Sequence, residues 1–100
     1  MSKVAEKNST VLKPRKDIVD DAAKKFRQKL KGLVSKGVTD LTVDLRNIKK
    51  LDAIAIAALV MAQNSVSSCD GKVKVCNVPD DINDFFKATK LDQHFVVADK

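Results

Sequence analysis

Tryptophan and tyrosine are absent from this 100-residue chain, and phenylalanine, its only aromatic residue, occurs four times. No aromatic side chain interleaves a Gly-rich basic loop, so the platform on which nucleic-acid bases stack is missing and sequence-specific nucleic-acid binding is not expected. Glycine is equally scarce. Gly32, Gly37 and Gly71 stand far apart, which excludes the clustered glycines of a phosphate-cradling nucleotide loop. Cys69 and Cys76 form no CxxC pair and have no histidine nearby, so reduced structural thiols are expected rather than a zinc site or a disulfide. His94 is the only histidine and has no second His or Cys cluster in range, which leaves catalysis or metal binding there without a constellation. The acids Asp80, Asp81 and Asp84 lack the spacing and the glycine of a calcium loop and suit a helix start instead. No cofactor is implied. No apolar run reaches the ~18 residues of a membrane span, and residues 1–7 are polar, unlike a signal peptide. The expectation is a cytoplasmic protein that does not span a membrane.

What the chain does have is enough apolar content, 44%, to bury one core, and its length suits one domain. Residues 1–8 are expected to be a loose start or an edge strand, and residues 9–100 the domain. Its charge is unevenly spread. Residues 1–50 carry 14 Lys/Arg against 6 Asp/Glu, whereas residues 51–100 carry 5 against 7. Much of the surplus falls between Asp21 and Lys36, where Ala23, Phe26, Leu30, Leu33 and Val34 recur at helical spacing. Asp20 and Asp21 begin that helix and Gly37 stops it. The opposite side carries Lys24, Lys25, Arg27 and Lys31, a basic face that solvation alone accounts for.

Strands are expected at Ser9–Lys13, where Pro14 confines the strand to an edge or end, and at Val38–Leu45, where Leu41, Val43 and Leu45 alternate with polar residues. A second short strand is expected at Asp17–Val19, and another strand at Lys72–Val78 after the Asp70-Gly71 turn. Ala53 to about Ser67 is Ala-rich and apolar all round at first, a helix expected to be largely buried. Pro79, Asp80 and Asp81 open a third helix with Ile82, Phe85 and Phe86 pointing inward, and Leu91 with Phe95–Val97 closes the chain in a packed corner or last short strand. Strands alternating with helices define an α/β fold: a single small domain with a mixed, mainly parallel sheet covered by about three to four helices. In such folds the site lies beyond a strand's C-terminal end, at the next helix N-terminus.

That position is occupied by the stretch Lys49-Lys50-Leu51-Asp52-Ala53-Ile54. Asp52 is suited to cap the helix, and a helix start favours anions. Lys50, Asp52, Ala53 and Ile54 are the candidate contact residues for a partner. The alternative for Asp52 is capping alone, and for Ile54 packing beneath the preceding loop. Ser65, Ser67 and Ser68 end the same helix as ordinary fraying polar residues, the alternative being displaced phosphorylation sites.

In its order of motifs the chain resembles the STAS domains, the anti-sigma-factor antagonists and their relatives. The resemblance rests on "LTVDL", the acid Asp52 before a small-residue helix, "GKVKVCNV" and "ATKLDQHF", and runs from about Val11 to Val97. It implies a non-catalytic, protein-binding regulatory module whose partner is an anti-sigma factor of kinase-like ATPase fold. In partner-switching members the residue after the Asp is a phosphorylated Ser or Thr. Here it is Ala53, so the resemblance implies a switch site that cannot be phosphorylated. The alternative it implies is an accessory subunit of a lipid or solute transport complex, with the basic face against an acidic subunit or anionic headgroups. A monomer or weak homodimer is expected.

Overall fold

A computed structural model describes residues 8–98. The expectation for residues 1–8 lies outside the described residues apart from Asn8, which opens the first strand. The elements are β1 (Asn8–Leu12), α1 (Asp20–Ser35), β2 (Val38–Asp44), α2 (Ala53–Ser67), β3 (Lys72–Cys76) and α3 (Asp80–Ala88). A 3-10 turn (Leu91–Gln93) and the two-residue β4 (Val96–Val97) follow.

The four strands stand side by side in chain order, β1-β2-β3-β4, and every pairing is parallel. The expected antiparallel component does not occur among the described residues. The reason is that α1, α2 and α3 each lie between successive neighbouring strands, giving the chain the length to return and pair in the same direction. Parallel crossovers are right-handed, so a sheet extended always to the same side receives all its helices on one face. Burial follows this arrangement. Leu41, Val43, Val73 and Val75 are fully buried beneath the helices. On the other face the rows Ser9-Asp40-Lys72 and Val11-Thr42-Lys74-Val96 remain at least partly exposed, with Val11 66% and Val96 42% accessible.

The expected strand at Asp17–Val19 is reduced to one parallel bridge, Ile18 with Leu51. Ile18 N–H donates to the Lys50 carbonyl at 3.0 Å and Asp52 N–H donates to the Ile18 carbonyl at 3.1 Å. Two turns depend on glycine. Gly37 ends α1 at φ 96°, a conformation costly for a side chain. Gly71 lies so close to β2 that an added Cβ would overlap the Thr39 carbonyl oxygen.

In α3 only Ile82 and Phe86 are buried; Phe85, expected inward, is 47% exposed. Neighbouring helical residues project about 100° apart, too far for both to enter a core lying on one side. Phe86 instead meets Phe95 edge-to-face, ring centres 5.3 Å apart, which holds the corner before β4. The α2 helix is less enclosed than its composition implied. Ala55, Ala58, Leu59, Ala62 and Val66 are buried, but Ala53 and Ala57 are exposed and Ile54, Ile56, Val60 and Met61 are half-buried. With all helices on one layer, α2 has no second sheet or helix layer to cover its outer side.

Candidate functional site

The two loops that enter α1 and α2 are fastened together by one acid from each. Asp17 Oδ1 accepts the Lys49 N–H at 2.8 Å and the Lys50 N–H at 3.3 Å. Asp52 returns the arrangement: its Oδ2 accepts the Asp20 N–H at 2.8 Å, while its Oδ1 accepts the Ile54 and Ala55 N–H groups at 3.0 and 3.1 Å. A single carboxylate therefore caps the start of α2 and also satisfies an amide at the start of α1. The α1 helix needs this, because its cap position is Val19, whose side chain makes no capping bond. Asp20 sits at φ 52°, an unusual backbone for a residue with a side chain, held there beside the Asp52 carboxylate.

The Asp20 amide is the main influence holding the Asp52 carboxyl below its ordinary value; partial burial opposes it, and the Ala55 and Ile54 amides reinforce it. A second acid is held similarly at the next strand end. Asp44 accepts the Arg46 N–H at 2.9 Å, the largest cause of its lowered pKa. Burial works against that, and the Asn77 amide at 3.2 Å and the Arg46 guanidinium at 3.9 Å act with it. Asp44 thereby joins the turn after β2 to the turn after β3.

The expected contact residues are brought together, though not all alike. Ala53 and Lys50 are exposed, Asp52 is partly enclosed by its amides, and Ile54 is half-buried against the core. The capping bonds of Asp52 are present, and Ile54 is in part packed against the core and in part exposed. Lys24, Lys25, Arg27 and Lys31 are all exposed along α1. Ser67 and Ser68 turn their hydroxyls back to the Asn64 and Ser65 carbonyls. Among the described residues Cys69 and Cys76 are free, and no three His, Cys, Asp or Glu side chains gather as metal ligands. No described helix is long and apolar enough to cross a membrane.

Sequence reading missed two contributors. Asp17 carries no local signal, because its partners lie 32 and 33 residues away. Phe85 was legible: the adjacent pair Phe85-Phe86 cannot both face inward from a helix packed on one side. Phe85 instead lines an apolar groove with Val19, Leu51, Ile56 and Ile82, directly beside the start of α2.

The fold agrees with comparisons to known proteins. The sequence model of the family described as "Mlab, STAS domain" matches residues 1–98, and the chain belongs to the STAS domain family. A comparison with curated protein sequences finds no match. Among solved structures, a candidate anti-sigma factor antagonist from Thermotoga maritima superposes with TM-score 0.84 at 19% identity, over 92% of this chain and 80% of that one. The anti-sigma factor antagonist SpoIIAA in its unphosphorylated form gives 0.71 at 13% identity, over 85% and 78%. The phosphorylated Bacillus SpoIIAA gives 0.70 at 14%, over 98% and 87%. At these identities the likeness is one of fold.

Proposed function

We propose that this chain is a non-catalytic, cytoplasmic protein-binding module that works as an anti-sigma factor antagonist does, docking through the start of α2 and its adjoining loop, without a phosphorylation switch at residue 53. The observation that carries the reading is the state of Ala53. It is exposed, it follows an acid fixed by three amide hydrogen bonds, and it has a methyl where a switch would need a hydroxyl. SpoIIAA exists in unphosphorylated and phosphorylated forms, whereas this chain would be held in a state equivalent to the unphosphorylated one. Its first candidate partner is an anti-sigma factor of kinase-like ATPase fold. The missing hydroxyl equally favours a second reading, an accessory subunit of a lipid or solute transport complex, since a permanent subunit has no need of release.

The first reading places the partner on Lys50, Asp52, Ala53 and Ile54, whereas the second places an acidic subunit or anionic headgroups against the basic face of Lys24, Lys25, Arg27 and Lys31. A charge set at the centre of an apolar contact is desolvated without a counter-ion and typically costs several kcal/mol. An acid in a helix's first turn is itself compatible with folding. Ala53→Asp should therefore fold normally by circular dichroism and lose its partner. Paired affinity capture with the wild type and the variant, quantified by mass spectrometry, checks this. Equal retention of the same partner by both proteins would overturn the proposal, and the partner's identity separates the two readings.

A further inference from the structure

We propose that the groove between the β1–α1 loop and α1 is a lipid site. It seats an anionic phospholipid at a bilayer surface, with the phosphate among Arg15, Lys16, Lys25 and Lys29 and an acyl chain on the apolar floor. The inference rests on the second reading above for its setting at a membrane, and deepens it by choosing headgroups over an acidic subunit.

The groove follows from the placing of α1. Among the described elements α1 packs on α2 and β2 alone, so the flank turned away from α2 is left uncovered. Ala22, Lys25, Phe26 and Lys29 recur at steps of three and four and share one side of the helix. Pro14, Arg15, Lys16 and Ile18 meet them from the loop, around a volume of about 350 Å³ that is open to solvent. Ile18 and Phe26 are buried and Pro14 and Ala22 half-buried, whereas all four cations are exposed. The volume is near the lower limit of sites that enclose a whole small molecule. Part of one alkyl chain fits, and the rest of the lipid stays in its bilayer.

No acid lines the groove. The surplus persists when the surroundings are counted. Residues 13–31 carry eight Lys/Arg against Asp17, Asp20 and Asp21, and with Lys49, Lys50 and Asp52 from the facing loop the balance is ten against four. The Asp17 carboxylate is turned to the Lys49 and Lys50 amides, and Asp21, one turn before Lys25, makes no ion pair with it. Each Lys or Arg beside an anionic leaflet strengthens binding about fivefold. Such side chains lay their stems along apolar surface while the charge reaches outward.

The lining also separates lipid from protein and nucleic acid. It holds no side chain that accepts a hydrogen bond, so the amide N–H groups of a peptide laid there would lose water without gaining a side-chain partner. An alkyl chain needs none. Nucleic acid would leave the apolar floor unused. Three of the four cations are lysines, whose flexible point charges suit a diffuse anionic surface better than the fixed pairing of Arg with a carboxylate.

Co-sedimentation of the full chain with vesicles tests this. The chain should sediment with mixed phosphatidylglycerol and phosphatidylcholine vesicles, less so with added salt, and stay in solution with phosphatidylcholine alone. Lys25→Gln/Lys29→Gln should lower the partition coefficient about tenfold or more. Lys24→Gln/Lys31→Gln removes the same charge from the side of α1 away from Ala22 and should cost less. Ala22→Gln, which fills the groove with a polar group at constant charge, should weaken binding in a variant that circular dichroism shows to be folded. Absence of binding to phosphatidylglycerol vesicles, or equal binding to phosphatidylcholine alone, would overturn the proposal. So would equal losses from the two double variants with none from Ala22→Gln, which would mean diffuse attraction with the groove empty. The captured partner distinguishes this inference from the reading it rests on. A transport subunit retained by a chain that ignores vesicles would keep that reading and overturn the lipid site. Groove-dependent vesicle binding by a chain whose partner is an anti-sigma factor would uphold the lipid site and remove that reading.

Discussion

At the scale of single residues, Asp52 links the largest number of structural decisions. Its carboxylate serves α1 and α2 together, and the hydrogen bonds from Asp20, Ala55 and Ile54 are stronger to the charged form than to the neutral acid. Its pKa is lowered in the folded chain, as is that of Asp44, so each contributes stability that is present above the unfolded value near 4 and lost as pH falls through the lower folded value. Thermal unfolding followed by circular dichroism should show the midpoint dropping as the pH is taken below about 4. Asp52→Asn should lower the midpoint at neutral pH and flatten that acid slope, because one of the responsible groups no longer titrates. A variant with the wild-type acid slope would mean that Asp52 contributes nothing through its charge. The capping half of this role was legible in the sequence, as an acid before an Ala-rich run. The bond to Asp20 was not, because nothing local to either residue reports a contact 32 positions distant.

At the scale of elements, α3 divides its two phenylalanines between different tasks. Phe86 is fully buried and packed on Phe95, whereas Phe85 faces the groove. Denaturant unfolding should accordingly separate them. Phe86→Ala is expected to cost about 3–5 kcal/mol, by lost burial and the cavity left behind. Phe85→Ala should stay within about 1 kcal/mol, in keeping with a side chain half in water. Comparable losses at both positions would mean that Phe85 belongs to the core. The limits of the helices and strands were readable to within a residue or two, because the apolar spacing of α1, the alternation of β2 and the alanines of α2 are strong periodic signals. What was not readable is which side of α2 stays uncovered. Ala53 and Ala57 are as apolar as Ala55 and Ala58, and only the one-layer arrangement of the helices tells them apart.

At the scale of the whole molecule, the surplus charge has a definite place. Lys24, Lys25, Arg27 and Lys31 lie exposed on α1, away from the buried stripe of Ala23, Phe26 and Leu30. If water alone is their partner, reversing any two of them should change the unfolding free energy by no more than about 0.5 kcal/mol. Partner affinity should also be little altered. Gel-shift assays near physiological salt should show only weak retention of DNA or RNA, the same for every sequence. A salt-sensitive loss of partner binding in the reversed variants would instead make α1 part of an interface. The α/β class and the order of elements followed from the alternation of patterns. The strictly parallel, one-directional sheet did not, because strand order is set by where each crossover returns and not by the strands' own residues. The fastening of the two loops by Asp17 and Asp52 has a last consequence, concerning the cost of ordering. With the amides of Asp20, Lys49, Lys50, Ile54 and Ala55 already bound, the backbone around Ala53 has little conformational entropy left to lose when another molecule arrives. Association at this surface would then be close to rigid-body, with a heat-capacity change that follows the apolar area covered rather than the folding of a segment.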